Sequence, residues 1–168
     1  ILMIKKIKSS LSERILFIFL ISLAVLTFGS FYVIKNKCLF VKQLDLDEIT
    51  VNDPQNLAIM DVECGKVVIE LYPQISPKSV KRFKYFVNSG SYNNSTFYRV
   101  IENTLVQAGD LEFGYHDNLN YFKIGSGKSK LGKLKSELSN DYEFKTGTVA
   151  MARGEFDTED SEFFIILK

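Results

Sequence analysis

The stretch ILFIFLISLAVLTFGSFYVI runs from Ile15 to Ile34 without a single charge. A helix rises about 1.5 Å per residue and the bilayer's hydrocarbon core is about 30 Å thick, so such a run is long enough to cross a membrane. This one feature divides the chain into a membrane-type segment and a remainder that must build its own core. A cleaved signal peptide usually has an apolar centre of about 7–15 residues. The run here is longer, and TFG at 27–29 is a weak cleavage site. An uncleaved signal anchor over residues 15–34 is therefore expected ahead of a cleaved, secreted form. Lys5, Lys6, Lys8 and Arg14 precede the run, and Lys35, Lys37 and Lys42 follow it. The slight bias favours the N-terminus inside and the rest of the chain in the periplasm or outside the cell. The expected organisation is a basic cytoplasmic N-terminus (1–14), a transmembrane helix (15–34), a linker (35–56) and a globular domain (57–168).

Composition narrows the function of that domain. A formal net charge of +1 over 168 residues gives no reason to expect a nucleic-acid partner. Fourteen Phe and eight Tyr, within 46% hydrophobic residues, supply ample material for a core. Cys38 and Cys64 are too few for a disulfide framework, and the sequence alone favours two free thiols. The lone histidine, His116, sits in the polar stretch GYHDN without metal-ligand spacing, so it reads as a surface residue and no metal is expected. IGSGKSK at 124–130 superficially looks like a phosphate-binding loop. The full motif needs a glycine where this chain has Phe122, and no strand–loop–helix frame surrounds it, so no nucleotide cofactor is expected.

Six short segments read as strands: LAIMDVE and KVVIELY, joined by a turn at Cys64-Gly65, then STFYRVI, TLVQAGD, GTVAMAR and SEFFIIL. Between the second and third lies SPKSVKRFKYFVNSG. Ser76 is placed to cap a helix, Pro77 suits its first position, and Gly90 suits its left-handed stop. Val80, Phe83, Phe86 and Val87 fall on one face, leaving the lysines and Arg82 for solvent. Residues 111–141 read as long loops. Many short strands with one helix at about 77–89 give a mainly β fold, a barrel or sandwich.

Arg99 carries the functional question. As a strand, FYRVI puts Phe97, Arg99 and Ile101 on one face and Tyr98 and Val100 on the other. A charge among apolar neighbours must reach a rim, a carboxylate or a ligand, because burying it alone is very costly. Glu102, Glu137 and Glu162 are the available acidic partners.

Taken together, FYRVI, LVQAGD, GTVAMAR and SEFFI, with the helix before them, resemble the cyclophilin-type peptidyl-prolyl cis-trans isomerases, bacterial branch, over about residues 57–168. The resemblance implies a cyclophilin-like antiparallel β-barrel and isomerisation of X–Pro bonds in proline-containing polypeptides, assisting protein folding without a cofactor. Arg99 matches the family residue that polarises the prolyl amide. Gln107 matches the residue that binds substrate backbone and helps orient Arg99. Leu105, Met151 and Phe164 match positions at the proline pocket. Ala152 and Arg153 match the segment that pairs with the peptide, and Glu162 stands where the family usually has Gln. Thr104 stands where the family has a pocket Phe, and Ala108 replaces a Gly. The resemblance further implies closing strands and pocket residues beyond Lys168, so the barrel is expected to be incomplete at its C-terminus. The alternative is a non-catalytic or vestigial proline-peptide-binding domain tethered to a membrane. The sequence leaves the oligomeric state open.

Overall fold

The computed structural model describes residues 10–39, 41–42, 44–50, 53–139 and 142–168. Lys5, Lys6 and Lys8 of the basic N-terminus lie outside that set. The chain forms two compact units, one comprising the segment up to Leu46 with Asp61–Lys66, the other Asp47–Met60 with Val67–Lys168.

In the first unit, helix α1 spans Leu11–Lys35 and none of its residues is buried. It is long and apolar enough to cross a membrane. Its start is fixed by a capping box: the Ser10 side chain accepts from the Glu13 N–H, and Glu13 accepts from the Ser10 N–H. Cys38 and Cys64 are joined in a disulfide, with Cα atoms 4.9 Å apart. The expectation of free thiols is therefore corrected. The tight hairpin turn presents Cys64 within bridging reach of the chain just past α1, a proximity that 26 residues of separation conceal.

All six expected strands form. β1 (Leu57–Val62) and β2 (Gly65–Glu70) make a two-stranded sheet. β3 (Arg99–Ile101), β4 (Leu105–Ala108), β5 (Val149–Met151) and β6 (Phe163–Ile166) make a four-stranded antiparallel sheet in the order β3-β4-β6-β5. Among the described residues the two sheets are not joined by strand pairing, so the barrel is not closed. The core gathers Ala58, Ile69, Phe83, Ala108 and Phe163. Tyr92 lies between Phe83, Phe86 and Phe163 at ring-centroid distances of 5.3–5.5 Å.

Helix α2 (Pro77–Asn88) buries Val80, Phe83 and Phe86, while Val87 stays on its exposed margin. Ser76 occupies the N-cap but makes no side-chain cap bond. The Glu137 carboxylate, 58 residues away from Ser79, accepts the N–H groups of Lys78 and Ser79 at 3.0 and 2.8 Å instead. An anion answers the helix's positive end better than a hydroxyl does. At the other end Gly90 adopts φ 69°. The Ser91 N–H bonds the Phe86 carbonyl and the Gly90 N–H bonds that of Val87, the paired pattern of a left-handed stop. Arg82 is not on a solvated face. Its guanidinium pairs with Asp160 at 3.1 Å, both side chains being nearly buried, because the loop before β6 folds back over α2.

Candidate active site

The site is built on one face of the four-stranded sheet. Glu102–Thr104 turn the chain between β3 and β4, with Asn103 at φ 54°, a left-handed conformation that asparagine tolerates. That hairpin sets Arg99 opposite Gln107 and Ile101 opposite Leu105. β6 then sets Phe164 beside Gln107 and Ile166 beside Leu105, and β5 sets Ala150 beside Phe164. Directly paired residues share a face, so Arg99, Gln107, Phe164 and Ala150 form one cross-strand row. Leu105 lies two residues along on the same face.

Met151 does not join them. It is paired with buried Phe163 and packs against the core, on the opposite face from Phe164. A strand's period of two turns its side chain away from that row, although the chain at Met151 still borders the neighbouring cleft. Phe97 also packs against the core rather than beside Arg99. β3 begins at Arg99, so the alternation assumed across FYRVI does not extend back to Phe97.

Arg99 is an exposed side chain anchored at its tip, where Nη1 donates to Gln107 Oε1 at 3.2 Å. None of the ion pairs among the described residues involves Arg99. Of its three candidate acidic partners, Glu137 caps α2 and Glu162 points to Gln107 and Tyr98. Gln107 is buried and spends both ends: Nε2 donates to Tyr98 Oη at 2.5 Å and to Glu162 Oε2 at 3.0 Å. Tyr98 Oη donates to the same Glu162 oxygen at 2.8 Å. Tyr98 is a site residue that the sequence pattern missed. Burial, then the Glu162 carboxylate, push its hydroxyl far above the ordinary tyrosine range. Burial also raises the Glu162 carboxyl, with the Asp110 charge adding to it. The bonds from Tyr98 and Gln107 and the charge of Lys128 act in the opposite direction.

Asp110, two residues past the end of β4, is fully buried. Its Oδ1 accepts from the N–H groups of Glu112 and Phe113, and its Oδ2 from those of Gly125 and Gly127. Burial pushes this carboxyl up, but the four backbone bonds outweigh it and leave the group below its usual range. The glycine-rich stretch that looks like a phosphate loop thus wraps a carboxylate of its own chain. A Cβ on Gly127 would stand 1.9 Å from Asp110 Oδ1, so no other residue fits there.

Beside the row lies an open cleft of about 1360 Å³, reached by Arg99, Leu105, Gln107, Phe164 and the chain from Ala150 to Arg153. Phe144 meets Phe164 edge-on at 5.8 Å. Ala152 N–H is already bonded to the Glu162 carbonyl at 2.7 Å. By the alternation of an antiparallel ladder, the backbone groups of Met151 and Arg153 face the unpaired edge. The Arg153 side chain bonds Ser136 Oγ at 2.8 Å, pairs with Glu159 at 3.6 Å and covers the Phe156 ring. Thr104 is exposed and bonds locally to the Glu102 carbonyl.

Residues 57–168 match the model of the cyclophilin type peptidyl-prolyl cis-trans isomerases. The chain belongs to that family. Over 116 residues it is 38% identical to a probable peptidyl-prolyl cis-trans isomerase of Brucella suis, covering 68% of this chain and 59% of that protein. A peptidyl-prolyl cis-trans isomerase of Acinetobacter baylyi is 36% identical over 107 residues, covering 63% and 52%. The chain thus spans between half and three-fifths of the length of these curated relatives. A cyclophilin type isomerase of Cryptosporidium parvum, crystallised in the presence of the dipeptide Ala-Pro, superposes with a TM-score of 0.52 at 27% identity. That match covers 61% of this chain and 62% of the other.

Proposed function

We propose that the chain is a membrane-anchored peptidyl-prolyl cis-trans isomerase that assists folding on the outer side of the membrane. Rotation about an X–Pro bond is opposed by amide resonance, with a barrier of about 18–20 kcal/mol. No bond is made or broken, so the site needs neither nucleophile nor general base. It needs a donor at the prolyl nitrogen, to draw the lone pair out of resonance, and an apolar seat for the ring. Arg99 supplies the donor: a guanidinium stays protonated and its planar fork holds a direction. Phe164 and Leu105 seat the ring, Gln107 holds Arg99 and meets substrate backbone, and the edge at Ala152 and Arg153 takes up the peptide strand, with Glu162 lining the same cleft. The single observation carrying this reading is the cross-strand row of Arg99, Gln107 and Phe164 with the 3.2 Å bond from Arg99 to Gln107.

The exposure of Thr104, where an aromatic would enlarge the ring seat, favours a second reading: a tethered domain that binds proline peptides without turning them over. The full chain in detergent micelles, mixed with an Ala-Pro-containing peptide, separates the two by NMR exchange spectroscopy. Accelerated cis–trans exchange is expected. Binding-induced shifts with exchange at the uncatalysed rate would establish the second reading.

Location rests on two supports. Helix α1 has the length of a span, and the Cys38–Cys64 bridge belongs to an oxidising compartment. Cells stripped of any outer membrane and treated with a membrane-impermeant protease should lose the domain while retaining α1; a protected domain would place it in the cytoplasm.

A further inference from the structure

Glu162 has a role that lining the cleft does not describe. Its Oε2 accepts from Tyr98 Oη and from Gln107 Nε2, and the same amide nitrogen lies within hydrogen-bond distance of Tyr98 Oη. An ionised carboxylate can only accept, so it admits Gln107 in one orientation, nitrogen inward. The carbonyl Oε1 must then face outward, where Arg99 Nη1 meets it. Reversing the amide would set its carbonyl against the carboxylate and its NH2 against the guanidinium, losing both bonds. A protonated carboxyl removes the constraint, because its O–H can donate to a reversed amide.

We infer that Glu162 is a positioning residue whose ionised carboxylate fixes the direction of the Gln107 amide and thereby holds the Arg99 guanidinium in place. The inference rests on the isomerase reading for its effect on rate, though not for its geometry. The groups that bias the switch are identifiable. Tyr98 and Gln107 donate directly to Glu162. Asp110 repels the ionised form and Lys128 favours it. Lys133, Arg153, Glu155 and Asp160 share the small cavity of about 290 Å³ beside the group. The net result is a carboxyl raised above the ordinary range, so Gln107 and Arg99 are released on mild acidification, before ordinary surface carboxylates titrate.

The test follows the Gln107 side-chain NH2 signals by 15N-resolved NMR of the full chain in micelles while pH is lowered. They are expected to shift with a single ionisation midpoint above that of an ordinary glutamate, and the shift is expected to vanish in Glu162→Gln. In parallel, kcat/KM for a proline peptide should fall about tenfold across the same midpoint, and this acid limb should be missing from the Glu162→Gln profile. Gln107 signals that ignore pH in the unsubstituted chain, or that keep the same midpoint in Glu162→Gln, overturn the inference even if the protein has no isomerase activity. NMR titration as expected with no catalysis leaves Glu162's positioning intact and removes the isomerase reading instead.

Discussion

The two faces of the four-stranded sheet are made from alternate residues of the same strands, yet they obey different rules. On the inner face Ala108, Phe163, Ile165, Val149 and Met151 meet the core, where packing density decides everything. On the outer face Arg99, Gln107 and Phe164 stand in a row whose polar members are held by one another and by Glu162 and Tyr98. Phe163 and Phe164 are adjacent in sequence and chemically identical, and only the first is buried. The strand's two-residue period assigns one ring to the core and leaves the other partly exposed on the opposite face.

The sharpest way to break this division is to truncate each ring in turn. Phe163→Ala should cost about 3–5 kcal/mol of folding free energy, read by urea unfolding. Phe164→Ala should leave unfolding nearly unchanged and raise KM for a proline peptide. Equal destabilisation by the two substitutions would mean that both faces are core.

A smaller effect is expected at Asp110, in the loop that follows β4. Asp110→Asn weakens four backbone bonds and should cost about 1–3 kcal/mol. The pH dependence gives a second handle. The folded-state carboxyl lies below its unfolded value, so its stabilisation is complete above the unfolded value near pH 4 and is lost as pH falls through the folded one. Acid unfolding of the Asn variant should therefore be less steep over that range. An unchanged slope would show that Asp110's charge is not what the loop binds.

Smallest of all should be the effect of opening the Cys38–Cys64 bridge, which lies in the other compact unit. Cys38→Ser is expected to change kcat/KM by less than about twofold, measured in the same peptide assay. A large loss would tie the outer face to the segment that follows α1.

The same contrast explains what could be read from the sequence. Strands and α2 were legible because β-branched alternation, Pro77 and Gly90 are local signals, and each element formed within its expected segment, β3 and β5 shorter than the pattern implied. Arg99, Gln107 and Phe164 were legible through motifs whose order is held by the fold. What escaped depended on distant partners. Arg82 looked solvated until Asp160, 78 residues on, closed over it. The cap of α2 came from Glu137 rather than the adjacent Ser76. Met151 was assigned by its motif, but its place in the ladder opposite Phe163 turns it inward. Tyr98 was assigned to the far face by simple alternation, although β3 begins only at Arg99 and frees the preceding side chain to reach Glu162.

The most direct measurement is a paired one on Arg99→Ala, with kcat/KM from NMR exchange and the melting temperature taken on the same full-length sample. The variant should lose activity by roughly a hundredfold or more, typical of removing one preorganised donor, with an unchanged melting temperature because the side chain is exposed and its one side-chain hydrogen bond among the described residues is to Gln107. Full activity in that variant would contradict the role given to Arg99.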